Sequence, residues 1–151
     1  MTITLAFTKG AGKTDLLVVT RANGGEERID CPKQGIIPHD MVHYAVEHVL
    51  AARGFLGRLA AGEDAAFTMT AEAESDGVER LVEVIQGDAW SGGASPPAEM
   101  IDLYRVTCEA RDCPPLPIDA RAIDAIRAEM QRLAGAWSAA PIGGTLTLRL
   151  G

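Results

Sequence analysis

Ile3-Thr4-Leu5-Ala6-Phe7-Thr8 alternates large apolar side chains with small or hydroxylated ones, the period-two signature of a strand buried on one side. Gly10-Ala11-Gly12 marks a turn, and Leu16 to Arg21 is a second strand, dense in leucine and β-branched residues. Asn23-Gly24-Gly25 follows; Asn-Gly is a strong hairpin signal because both residues tolerate positive φ. A weaker third strand, Glu26 to Cys31, places Ile29 and Cys31 on one face, and Pro32 with the Gly35/Pro38 region ends it. At the far end of the chain Thr145 to Leu150 repeats the alternation, with Leu146, Leu148 and Leu150 on one face. Three strands in front and one behind predict a four-stranded, mainly antiparallel sheet.

The sequence between those strands is helical in period. From Pro38 or His39 onward, Met41, Val42, Ala45, Val46, Val49, Leu50, Ala52 and Leu56 form a broad apolar stripe. Gly54 is read as a left-handed stop, with Phe55 folding back on the last turn. An irregular, alanine-rich stretch runs from Ala60 to Ala73. Asp76 and Glu79 have the spacing of a capping box, which predicts a short helix ending near Gly87. After the Ser91–Pro97 loop, a helix over roughly Pro97 to Arg111 would bury Met100, Ile101, Tyr104 and Cys108. Three prolines, Pro114, Pro115 and Pro117, break it. Asp119 then caps a last helix in which Ile123, Ile126, Met130, Leu133 and Trp137 keep helical spacing. The expected architecture is a single α+β domain over residues 1–151, with about four helices packed on one face of the sheet.

Composition narrows the function classes. The 151 residues fit one domain with one core, and 47% hydrophobic against 23% charged residues is a globular balance. With 21 acidic and 14 basic residues the net charge is −7, and no Lys/Arg cluster offsets the repulsion of a phosphate backbone. Nucleic acid is therefore not expected as a partner. No apolar run approaches the roughly 20 residues that span a bilayer, so no membrane is expected either. A protein or a small molecule is left as the partner class. The three cysteines, Cys31, Cys108 and Cys113, are odd in number and lack a disulfide-framework spacing. They predict reduced thiols in a cytoplasmic protein. Cys108 and Cys113 could pair only if the chain turned back sharply between them. The Ala/Gly/Arg-rich style suggests a bacterial source.

One segment carries chemistry. In Pro38-His39-Asp40-Met41-Val42-His43-Tyr44-Ala45-Val46-Glu47-His48, His39, His43 and Glu47 recur every four residues. Both imidazoles then project from neighbouring points of one helical face, while Glu47 falls further round toward solvent and His48 on the far side. His-x-x-x-His is the pairing of zinc sites built on His-Glu-x-x-His. Here Asp40 stands in the position of the general base, with its carboxylate withdrawn by one methylene. Residues eight apart are about 12 Å apart along a helix, so His39, His43 and Glu47 cannot all hold one ion. A third ligand must come from elsewhere, with Cys31, Glu99, Glu109 and Asp112 as candidates by type; Glu47 could instead orient His43 as an acceptor. The same residues also fit an ordinary helix edge, in which His39 caps the helix, Asp40 complements its dipole and His43 hydrogen-bonds beside the core.

Other motifs carry less. Gly10-Ala11-Gly12-Lys13-Thr14 lacks the first glycine of a phosphate-binding loop and leads into a strand. Trp90 beside a Gly/Ser loop reads as a lid over the core or an exposed anchor. The run Pro38-His39-Asp40-x-x-His43-Tyr44-x-Val46-Glu47, after a three-stranded start, resembles an uncharacterised group of small bacterial proteins sharing a Pro-His-Asp-x-x-His-Tyr/Phe-x-Val-Glu segment. The likeness covers the first third to half of the chain and implies no activity. The functional expectation is a protein binding zinc or another divalent metal through His39 and His43. Asp40 or Glu47 would give catalytic support if the site assists hydrolysis. The alternative is a non-catalytic interaction or structural module without metal.

Overall fold

In the computed structural model, which describes residues 2–64 and 72–151, the alternating Ile3–Thr8 segment is β1, paired on both sides. It is flanked by β2 (Thr14–Thr20) and β4 (Thr145–Leu150), with β3 (Glu26–Pro32) outside β2. The order is β3-β2-β1-β4 and every neighbouring pair is antiparallel. Register places Leu5 opposite Val19 and Leu148, and Phe7 opposite Leu17 and Leu146. One face therefore gathers Ile3, Leu5, Phe7, Leu17 and Val19, all fully buried. Each such side chain contributes about 1.5–3 kcal/mol of transfer free energy. The opposite face, with Thr4, Ala6, Leu16 and Val18, is only half covered.

The β2–β3 hairpin closes differently from the expectation. Only Gly24 takes a positive φ, 87°; Asn23 instead accepts the Gly25 N–H on its side-chain Oδ1 at 2.8 Å. The loop is tied by Arg21 and Gly25 rather than by two left-handed residues.

Five helices are described: α1 (His39–Leu50), α2 (Phe55–Ala60), α3 (Ala73–Trp90), α4 (Pro97–Ala110) and α5 (Ala120–Ala139). Residues 65–71, most of the alanine-rich stretch read as irregular, lie outside the described residues. α1 stops earlier than its apolar stripe suggests. Ala51, at φ 51°, is the left-handed residue, whereas Gly54 sits at φ −107° and precedes α2. Glycine is needed at 54 for space: a Cβ there would lie 2.5 Å from Val78 Cγ1 and 2.7 Å from Glu47 Cδ.

α3 is not the short helix expected. It runs for 18 residues, starts before Asp76, and its N-cap Glu72 makes no side-chain cap bond. Glu79 is consequently free of any capping duty. α4 has proline at its first turn and buries Met100, Tyr104 and Cys108. α5 is capped as its sequence predicts, Asp119 Oδ1 accepting the Ala122 N–H at 2.9 Å. Its buried stripe, Ile123, Ile126, Met130, Leu133 and Trp137, runs along the core, where Trp137 meets Phe7 edge to face at 6.5 Å. No helix of the described residues is long and apolar enough to cross a membrane.

Candidate metal centre

α1 and α3 pack against each other, and the face of α1 that meets α3 carries His39 and His43. The two rings lie one helical turn apart, 5.0 Å between centroids and inclined at 74°. Across from them stands Glu79 of α3. His43 Nε2 is 2.7 Å from Glu79 Oε2, and His39 Nε2 is 3.5 Å from Glu79 Oε1. His39, His43 and Glu79 each offer one ligand atom, all within 4.8 Å of one another. Such a group can hold a metal ion; it is the one such group among the described residues.

The other nitrogen of each ring is already engaged. His43 Nδ1 lies 3.2 Å from Glu47 Oε2, and His39 Nδ1 lies 2.7 Å from Gln86 Oε1. Gln86 is oriented by donating its Nε2 to Gln34 Oε1 at 2.9 Å, which leaves its oxygen toward the imidazole. Both Nδ1 atoms thus have an acceptor and both Nε2 atoms converge on one carboxylate. That is the arrangement in which an outer acceptor fixes the tautomer of a ligating histidine.

Glu47 departs from the solvent-facing position its helix angle suggests: it is buried, 1% exposed. The cause is α2, whose start folds over it. Glu47 Oε1 accepts the N–H groups of Gly54 at 2.9 Å and Gly57 at 2.8 Å, and Oε2 accepts that of Leu56 at 3.2 Å. A buried carboxylate is tolerable when its lone pairs are filled in this way, and these N–H groups are among those that a helix start leaves unpaired.

The remaining candidate residues fall elsewhere. Asp40 Oδ2 accepts from the Cys31 thiol at 3.5 Å. Neither residue belongs to the His39–His43–Glu79 group, nor do Glu99, Glu109 and Asp112 on or just beyond α4. Pro38, not His39, is the N-cap of α1. His48 is exposed and stacks on Tyr44 at 5.1 Å. Trp90 donates its indole N–H to the Gln34 carbonyl. Gln34, Glu83 and Trp90 line an open groove of about 480 Å³ together with His39 and Glu79.

Electrostatics follow from the packing. Burial opposes a charge on His43, but the hydrogen bonds and charges of Glu47 and Glu79 outweigh it and raise its pKa to about 10. The hydrogen bond to Glu79 likewise raises His39. Burial also opposes ionisation of Glu79, yet the two imidazoles hold its carboxyl far below the ordinary range. Without a metal, His43 is an imidazolium between two carboxylates. No protein-family model, curated protein or solved structure matches the chain.

Proposed function

We propose that this protein binds a divalent transition metal of the zinc type through His39 Nε2, His43 Nε2 and a Glu79 carboxylate oxygen. The observation that supports this most is the pairing of both Nδ1 atoms with acceptors, Glu47 and Gln86, while both Nε2 atoms face Glu79. Two imidazoles and one carboxylate are the donor set of hydrolytic zinc sites, which keep a further position for water or substrate. A metal there supplies a water of lowered pKa and a Lewis acid for a carbonyl or phosphoryl oxygen. The neighbouring groove gives a substrate access to that position. Metal-assisted hydrolysis is accordingly the activity proposed, with Glu47 as the residue that orients His43.

The test is elemental analysis of untagged protein after equilibration with zinc and removal of free ion. About one zinc per chain is expected, falling to background in His39→Ala and Glu79→Gln. Gln86→Ala, which removes the outer acceptor of His39 and leaves the three ligands in place, should weaken zinc by about 10–100-fold. A wild-type chain that takes up no zinc, and whose melting temperature ignores both zinc and chelator, would overturn the metal reading.

One observation favours a second reading, a non-catalytic module. His43 Nε2 and Glu79 Oε2, 2.7 Å apart, already form a closed charged hydrogen bond. On that reading the network pins α1 to α3 by itself, and Glu79→Gln destabilises the fold equally with or without zinc.

A further inference from the structure

α4 ends in a turn that folds the chain back over the helix. Asp112 takes a left-handed φ of 53°. Its N–H donates to the Glu109 carbonyl at 3.2 Å, and the Cys113 N–H donates to the Cys108 carbonyl at 3.0 Å. These two crossed bonds define the helix closure in which the second residue past the cap is laid against the third residue from the helix end, a contact ordinarily filled by apolar side chains. Here both places are cysteines. Cys108 is 0% exposed and Cys113 9% exposed, and both are free thiols. A disulfide joins α-carbons about 4.4–6.8 Å apart. The hydrogen bond between the two cysteine backbones keeps their α-carbons within roughly 7 Å on standard bond lengths.

We propose that Cys108 and Cys113 form a dithiol modification site that closes reversibly to an intramolecular disulfide by exchange with a small-molecule disulfide. Cys113, the more exposed cysteine, loses its proton and attacks one sulfur of RSSR, forming a mixed disulfide and expelling RS⁻. The Cys108 thiolate then attacks Cys113 Sγ and expels the second RS⁻. Two electrons and two protons leave the pair, and RSSR becomes two RSH. Burial, and then the neighbouring Cys113 thiol, push the Cys108 pKa up, so the second step quickens as pH rises. Cys31 provides an internal reference. It is buried, donates to Asp40, and has its pKa raised by burial and then by that carboxylate.

The full chain, with chelator present, is incubated with oxidised glutathione, acid-quenched, alkylated and mapped as non-reduced peptides. A Cys108–Cys113 cross-link within a monomer is expected, with two of the three thiols lost, Cys31 still alkylated, and full reversal by dithiothreitol. Cys108→Ala should stop at a stable glutathione adduct on Cys113, since no second thiol resolves it. Retention of all three thiols, a product that includes Cys31, cross-links only between chains, or closure only in denaturant would each overturn the proposal. The wild-type map decides the matter even where the variant fails to fold.

Discussion

Glu47 is a carboxylate with four hydrogen-bond partners: the N–H groups of Gly54, Leu56 and Gly57, and His43 Nδ1. Hydrogen bonds to an ionised group contribute more than neutral ones, and a buried donor left unpaired costs its desolvation. Glu47→Gln keeps the shape but neutralises the charge and turns one acceptor into a donor. A loss of about 2–4 kcal/mol is expected in urea unfolding; a loss under about 0.5 kcal/mol would show that the carboxylate holds nothing. The imidazoles set a pH dependence for the metal-free chain. His43 is raised, so its contribution to stability is complete below the ordinary 6.5 and drains as pH climbs through about 10. Glu79 is lowered, so its contribution is complete above the ordinary 4.5 and disappears in acid. This group therefore holds the fold best between pH 4.5 and 6.5. Chelator-treated wild type should lose stability from about pH 6 to about pH 9 relative to His43→Gln, which has no proton to give up. Parallel pH curves for the two proteins would count against the charged network. Zinc uptake near neutrality should release a proton, seen by calorimetry in buffers of unlike ionisation heat.

At the level of the elements, the turn from α1 to α2 is strained where it need not be. Ala51 adopts φ 51° and is exposed, a conformation that glycine reaches without the Cβ clash. Ala51→Gly should raise unfolding stability by about 0.5–1 kcal/mol, and an unchanged or lower denaturation midpoint would contradict a strained, left-handed Ala51. The same turn shows what local reading missed. An apolar stripe runs through Leu56 regardless of a break, because α1 and α2 bury residues in one core. α3 shows the converse error. Asp76 and Glu79 have capping spacing, but the helix begins at Ala73 and Glu79 turns to α1. His39 and His43 were legible because their relation is four residues long; Glu79 was not, because its relation to them is made by packing. A signal was nonetheless present. Glu79, Glu83 and Gln86 recur at helical spacing, with Trp90 a turn further on, beside the apolar positions Val78, Leu81, Val82 and Ile85, a polar stripe along the edge of an amphipathic helix. Such a stripe needs a polar surface to meet, and the histidine face of α1 supplies it.

For the molecule as a whole, the sheet was readable because each strand states its own period, and the antiparallel register pairs like faces. The arrangement of the helices was less so, since their stripes say which side is buried but not against what. Trp137 ties the two layers together: it meets Phe7 of β1 edge to face, and its carbonyl accepts from Lys9 Nζ at 2.6 Å. Trp137→Ala should cost about 3–5 kcal/mol, with a fall in melting temperature that a merely peripheral ring would not give. β4 runs antiparallel to β1 with Ile3 opposite Leu150, so the chain leaves the sheet at the same corner where it entered. A short peptide bridge from the Leu150 end of β4 to the Ile3 end of β1 would then close the backbone into a ring without disturbing a strand. New ends cut in the exposed Ser91–Ala94 segment should yield a circularly permuted protein that still unfolds in one cooperative step.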